Sequence, residues 1–166
     1  MTFTLFLEQL LNGVQFGVFL FLISAGMTLV LGIMNVVNLA HGSLYMVGAY
    51  VATTLYSATG NLFIAFLLMV PILLVIGMIV EIVVLRTMYQ RDHMDQVLAT
   101  FGLILFFNEL VRIVWGVEGL GMDIPESLSG SIDIGIPYPA YRVLIIAVGI
   151  LVSILIYLMI TKTRTG

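Results

Sequence analysis

Apolar positions follow one another along this chain with few interruptions, and the polar positions that do interrupt them mark out its layout. No Asp, Glu, Lys or Arg occurs from residue 9 to residue 80. A helix needs roughly 20 apolar residues to cross the ~30 Å hydrocarbon layer of a bilayer, so this run predicts several spans in succession. The first covers residues 10–34 and carries Gly13 and Gly17 one turn apart, a small-xxx-small pair that lets another helix approach closely. The second covers 35–56, with a polar cluster in its first half and a further small pair, Gly48 and Ala52, in its second. Thr59-Gly60-Asn61 reads as a turn. The third span, 62–85, contains Pro71, which a membrane helix tolerates as a kink where neighbours satisfy the freed carbonyl.

Residues 86–95 form a polar connection holding Arg86, Arg91 and Asp92, and Asp95 is placed to cap a fourth span over 96–115. A long connection, 117–139, leads to a fifth span over 141–160, followed by Lys162 and Arg164. Within that connection Ile132-Asp133-Ile134-Gly135-Ile136 alternates as a short strand would, which suggests one arm of a hairpin. The predicted fold is all-α: a polytopic membrane helix bundle of about five transmembrane helices, the second broken or kinked. Residues 1–166 form a single transmembrane domain, with no linker or low-complexity stretch to divide it.

Composition sharpens this picture. Hydrophobic residues make up 61% and charged residues 9%, with a mean hydropathy of +1.20. Soluble domains carry about a quarter charged residues, so a water-soluble core is excluded and lipid is the expected surround. A net charge of −3 gives no reason to expect a nucleic-acid partner. The absence of cysteine excludes disulfides, thiol chemistry and cysteine-based metal sites. The N-terminus does not read as a cleaved signal, since residues 1–11 hold no basic residue.

Charge also orients the spans. Arg86, Arg91, Lys162 and Arg164 flank one side, whereas the 117–139 connection holds Glu118, Asp123, Glu126 and Asp133 and no Lys or Arg. Basic residues concentrate in cytoplasmic loops, which places 86–95 and the C-terminal tail inside. The turn at Thr59, the 117–139 connection and the N-terminus then lie outside.

The candidate chemistry lies in the polar cluster of the second span. Asn35, Asn38, His41 or Gly42, and Tyr45 recur at helical spacing, with Ser43 among them, so on a continuous helix they share one stripe. Such a stripe can glue the helix to its neighbours, each interhelical hydrogen bond contributing ~0.6–2 kcal/mol. It can equally hold a backbone break in place or bind a polar solute. His41 has only His93 for company and no carboxylate nearby in the first three spans, so a metal site is not indicated. It reads as a structural histidine that shapes the break. Glu109 and Arg112, three residues apart, read as a local ion pair, and Glu81 as a side chain that snorkels or pairs with Arg86. Hydrolase, zinc-protease and phosphate-loop motifs are missing, so no enzymatic activity and no cofactor is expected, and this chain cannot bind ATP by a phosphate loop.

At these residues the chain resembles a known family, the permeases of branched-chain amino-acid ABC importers. Residues 24–50 carry the resemblance through Gly26-Met27-Thr28-Leu29, then Asn38-Leu39-Ala40-His41-Gly42, then Gly48-Ala49-Tyr50. A second block, Leu85-Arg86, Arg91-Asp92 and Ala99-Thr100-Phe101-Gly102-Leu103, is also similar, and Thr163-Arg164-Thr165-Gly166 is similar to a basic stretch that ends a central span in the family. The resemblance implies a permease subunit that forms a homo- or heterodimer with a second permease subunit. A periplasmic solute-binding protein would deliver branched-chain amino acids, and cytoplasmic ATP-binding subunits would drive import. It makes Asn38, His41 and Gly42 translocation-path or path-shaping residues, and it covers a little over half of a typical family subunit. Urea and short-chain amide permeases share the signature, and a self-contained channel or an accessory scaffold remains the reading from other classes.

Overall fold

The computed structural model describes residues 3–34, 36–121, 124–125, 128–133 and 135–162. Asn35, Asp123, Glu126 and Arg164 lie outside the described residues, as does the side chain of Asp133. Five long helices carry the fold: α1 (Phe3–Met34), α2 (His41–Thr59), α3 (Leu62–Val80), α4 (His93–Trp115) and α5 (Ala140–Lys162). Two short strands, β1 (Ser131–Asp133) and β2 (Pro137–Pro139), lie between α4 and α5. Among the described residues four segments are long and apolar enough to cross a membrane: Phe3–Gly32, Leu62–Met88, His93–Trp115 and Ala140–Lys162. The chain is therefore a polytopic, mainly helical membrane protein. Bulky side chains such as Phe63, Leu67, Leu98 and Ile113 are exposed, as they can be where the surrounding solvent is lipid.

The predicted second span differs most from the structure. Residues 36–40 are not helical, and α2 starts at His41. With its hydroxyl side chains, α2 is less apolar than the other four helices. Those hydroxyls are satisfied within the helix. Thr53, Thr54, Ser57 and Thr59 each donate to the carbonyl four residues earlier, at 2.8–3.0 Å.

Two compact units emerge, Met27–Asp123 and the pairing of Met1–Gly26 with Ile124–Gly166. In the first, α2 ends at Gly60, whose φ of 64° is the left-handed cap that glycine adopts without strain. Asn61 then caps α3, its side chain accepting from the Phe63 and Ile64 amides at 2.9 and 3.3 Å. Helical geometry continues past Pro71. The departure comes instead at a π-helical turn, Glu81–Leu85, before a last α-turn at Arg86–Met88. The Glu81 carboxylate accepts the Tyr89 hydroxyl. Asp92, rather than Asp95, caps α4, accepting from the His93 amide at 2.9 Å, so this helix starts three residues earlier than predicted. Asp95 falls in its first turn, where a carboxylate favours the positive end of the helix dipole. Val36, Val47, Val80, Leu85, Phe107 and Val111 form the core of the unit.

In the second unit β1 and β2 form an antiparallel hairpin, with Ile132 opposite Tyr138, but the expected strand arm 132–136 is shorter: β1 ends at Asp133, and Gly135, at a φ of 91°, and Ile136 lie in the turn. Tyr138 is buried, and its hydroxyl donates to the Asn12 side chain at 2.9 Å. Arg142 bonds the same Asn12 oxygen. The α1 side chains Val18 and Leu22 pack onto Gly149 of α5, where a Cβ would collide with Val18 Cγ1. Gly13 and Gly17, the expected packing pair, face open space, with nothing within 4 Å of either Cβ position.

Candidate functional site

The polar cluster folds into a short unwound segment, residues 36–40, that leads into α2. Non-helical backbone at membrane depth is tolerated only where protein or a water-filled cavity satisfies it. Here protein does so: Val36, Asn38 and Ala40 are buried, Ala40 completely. The Asn38 side-chain oxygen accepts from the Ala40 amide at 3.0 Å, a local turn typical of asparagine. The Ala40 carbonyl in turn accepts from Leu44 at 3.0 Å, the first bond of the new helix.

The remaining support comes from α4. Gln96 Oε1 accepts the Val37 amide at 3.0 Å, across 59 residues of chain. Its Nε2 donates to the Met88 and Arg91 carbonyls, both at 3.2 Å. The His93 Nδ1 lies 3.3 Å from the same Oε1. The carboxamide orientation follows from its partners, since an N–H needs the oxygen and two carbonyls need the NH₂. Thr100, one turn further along α4 and fully buried, donates to the Gln96 carbonyl at 2.8 Å, and its hydroxyl lies 3.4 Å from the Val37 carbonyl. Gln96 is 2% exposed, so these bonds act in a low-dielectric setting where a polar group left without a partner is costly.

This geometry divides the predicted stripe. Because residues 36–38 are not helical, Asn38 does not continue the face of α2. Asn38 and Ser43 are buried, His41 is half-buried, and Gly42 and Tyr45 are exposed. Gly48 faces α3, where a Cβ would lie 3.2 Å from Leu73 Cδ1, and Ala52 is half-buried one turn on. Arg86, Arg91 and Asp92 are exposed in the polar connection, and Glu118 is exposed after α4. Glu109 and Arg112 form the expected pair at 3.6 Å with both side chains largely exposed. Sequence reasoning passed over Gln96 and Thr100. Their i, i+4 spacing in the first turns of the span was the available signal, because it places two polar groups on one helix face.

The comparisons with known proteins bear on the same residues. Residues 9–166 match the family model described as "Branched-chain amino acid transport system / permease component". The chain is 30% identical to the high-affinity branched-chain amino acid transport system permease protein LivH of Escherichia coli, over 80% of this chain and 46% of that protein. It is 27% identical to the corresponding permease protein BraD of Pseudomonas aeruginosa, over 97% of this chain and 57% of that protein. The chain thus spans about half the length of the curated relatives it matches. No solved structure matches significantly. A polytopic helical chain whose residues match that model almost from end to end belongs to the family of branched-chain amino-acid transport system permease components.

Proposed function

We propose that this chain acts in the inner membrane as part of a permease subunit of an ATP-driven importer for branched-chain amino acids. It contributes to the translocation path between a periplasmic binding protein and cytoplasmic ATPases. The family match over residues 9–166 carries this reading. The subunit pairs with a second permease subunit, and ATP hydrolysis belongs to separate subunits, so the chain itself is not an enzyme. Within the path the exposed Gly42 and Tyr45 and the half-buried His41 are the residues a solute meets, while the buried Asn38 shapes the break behind them. The exposed polar connection around Arg86 and Arg91 faces the cytoplasm. The connection that contains the β1–β2 hairpin follows α4 in the chain and faces the binding protein.

The test is uptake of labelled leucine by cells lacking their own branched-chain importer and supplied with the full-length protein and its partners. Uptake that isoleucine and valine compete away, and urea and acetamide do not, is the expected result. Competition by urea or acetamide would move the solute to the amide class. Asn38→Leu and His41→Leu should lower uptake more than they lower membrane insertion. Normal uptake by both at equal expression would make these residues structural only.

A further inference from the structure

The exposed polar connection and the buried helix break are far apart in sequence, yet one side chain bonds to both. Arg86, Arg91 and Asp92 are exposed. Two of its carbonyls, Met88 and Arg91, are tied to Gln96 Nε2, and the other end of the same carboxamide takes the Val37 amide. Both N–H groups and the oxygen of Gln96 are thereby used, and the group is buried. A displacement of the connection must therefore either carry Gln96 with it or break bonds made by a buried carboxamide. Thr100 braces the same α4 turn from below. The segment at the far end of this linkage, 36–40, is short, non-helical and followed directly by His41 and Gly42, which the preceding reading places in the path.

We infer that Gln96 is a positioning residue that links the polar connection 86–92 to the unwound segment 36–40, so that movement of the first resets the second during import. This rests on the importer reading. Linkage of this kind needs an element with two arrangements that both ends bias, which a functional test can expose.

The test uses the full-length transporter assembled with its binding protein and ATPases in lipid vesicles. Gln96→Glu keeps an oxygen for the Val37 amide but replaces the NH₂ that holds the Met88 and Arg91 carbonyls. Gln96→Leu removes both sets of bonds. Amide hydrogen exchange over 36–40 should stay near wild type in Gln96→Glu and rise at least about tenfold in Gln96→Leu, the factor that follows from losing one buried hydrogen-bond partner. Leucine accumulated per ATP hydrolysed should fall in both variants, by about tenfold or more. Wild-type accumulation per ATP in Gln96→Glu would overturn the inference, leaving Gln96 as a local cap for Val37. Should either variant fail to assemble, the wild-type protein gives the answer. Exchange over 36–40 must then differ between ATP-bound and nucleotide-free assemblies whenever exchange over 88–91 does, and a response confined to 88–91 overturns it. Failure of the wild-type assembly to import branched-chain amino acids is a separate outcome and counts against the importer reading.

Discussion

The helix break at 36–40 and the hairpin at 131–139 are both departures from helix in a chain that is otherwise mostly helical, and they satisfy their backbone in opposite ways. Every buried backbone N–H and C=O needs a partner. In the hairpin those partners are main chain: Ser131, Ile132 and Asp133 face Pro139, Tyr138 and Pro137, and the Ala140 amide donates to the Gly130 carbonyl at 2.9 Å. Its prolines are tolerated because both strands of a two-stranded sheet are edges. In the break the Ala40 carbonyl has the Leu44 amide, but two of the amides are held by side chains, Asn38 from two residues away and Gln96 from fifty-nine. A backbone-paired element depends little on the identity of its side chains. One held by amide side chains depends on each of them, and it is also the kind of element that can be switched from a distance.

The comparison is most exposed to a substitution at Gln96. Gln96→Leu leaves the Val37 amide and the Arg91 carbonyl without this partner and leaves the Met88 carbonyl only its bond from the Arg91 amide, and it should destabilise the Met27–Asp123 unit by about 2–3 kcal/mol. Resistance to SDS unfolding in mixed micelles measures this, and a loss below about 0.5 kcal/mol, the range of ordinary surface substitutions, would remove the claimed dependence. Next in size is Asn38→Ala, which deletes the local turn bond to Ala40. The expected loss is about 1 kcal/mol, read in the same assay, with raised exchange confined to the residues that follow it.

The hairpin should respond less. Tyr138→Phe removes the hydroxyl bond to Asn12 but leaves the strand pairing and the buried ring in place, so a loss of about 0.5–1 kcal/mol is expected. Unchanged cross-strand nuclear Overhauser contacts between Ile132 and Tyr138 would agree, and a lost hairpin would show it to be as side-chain-dependent as the break. Smallest of all is Arg112→Gln. Its pair with Glu109 spans 3.6 Å and both side chains are more than half exposed, so the change should stay within about 0.5 kcal/mol.

How far each region could be read from sequence follows the same division. The presence of a hairpin showed itself in the alternation at 132–136, although Gly135 and Ile136 prove to be its turn, and the Thr59-Gly60-Asn61 turn showed itself because glycine and asparagine carry their conformational preferences locally. The unusual character of residues 35–45 was visible as polar side chains in an apolar run. Its form was not. A stripe of helical spacing assumes a continuous helix, and the Asn38 side chain breaks that assumption by bonding the backbone two residues on. Gln96 and Thr100 were harder to see, because nothing local says which distant backbone group a buried amide will meet. The α4 start was misplaced for a simpler reason: Asp92 and Asp95 both suit a helix N-terminus, and only the bond from His93 to Asp92 decides between them. At Gly13 and Gly17 the small-residue signal marks a surface capable of close approach, and the described chain makes its close approach at Gly149 instead.

The central claim is that residues 36–40 stay unwound and that α2 begins at His41 when the protein is in lipid. Carbon-13 backbone chemical shifts of the full-length protein in bilayers test it most directly. The account predicts non-helical Cα and Cβ shifts for Val36, Val37 and Asn38, helical shifts from His41 onward, and a change at Val37 when Gln96 is replaced by Leu. Helical shifts running without interruption from residue 35 through residue 45 would contradict it.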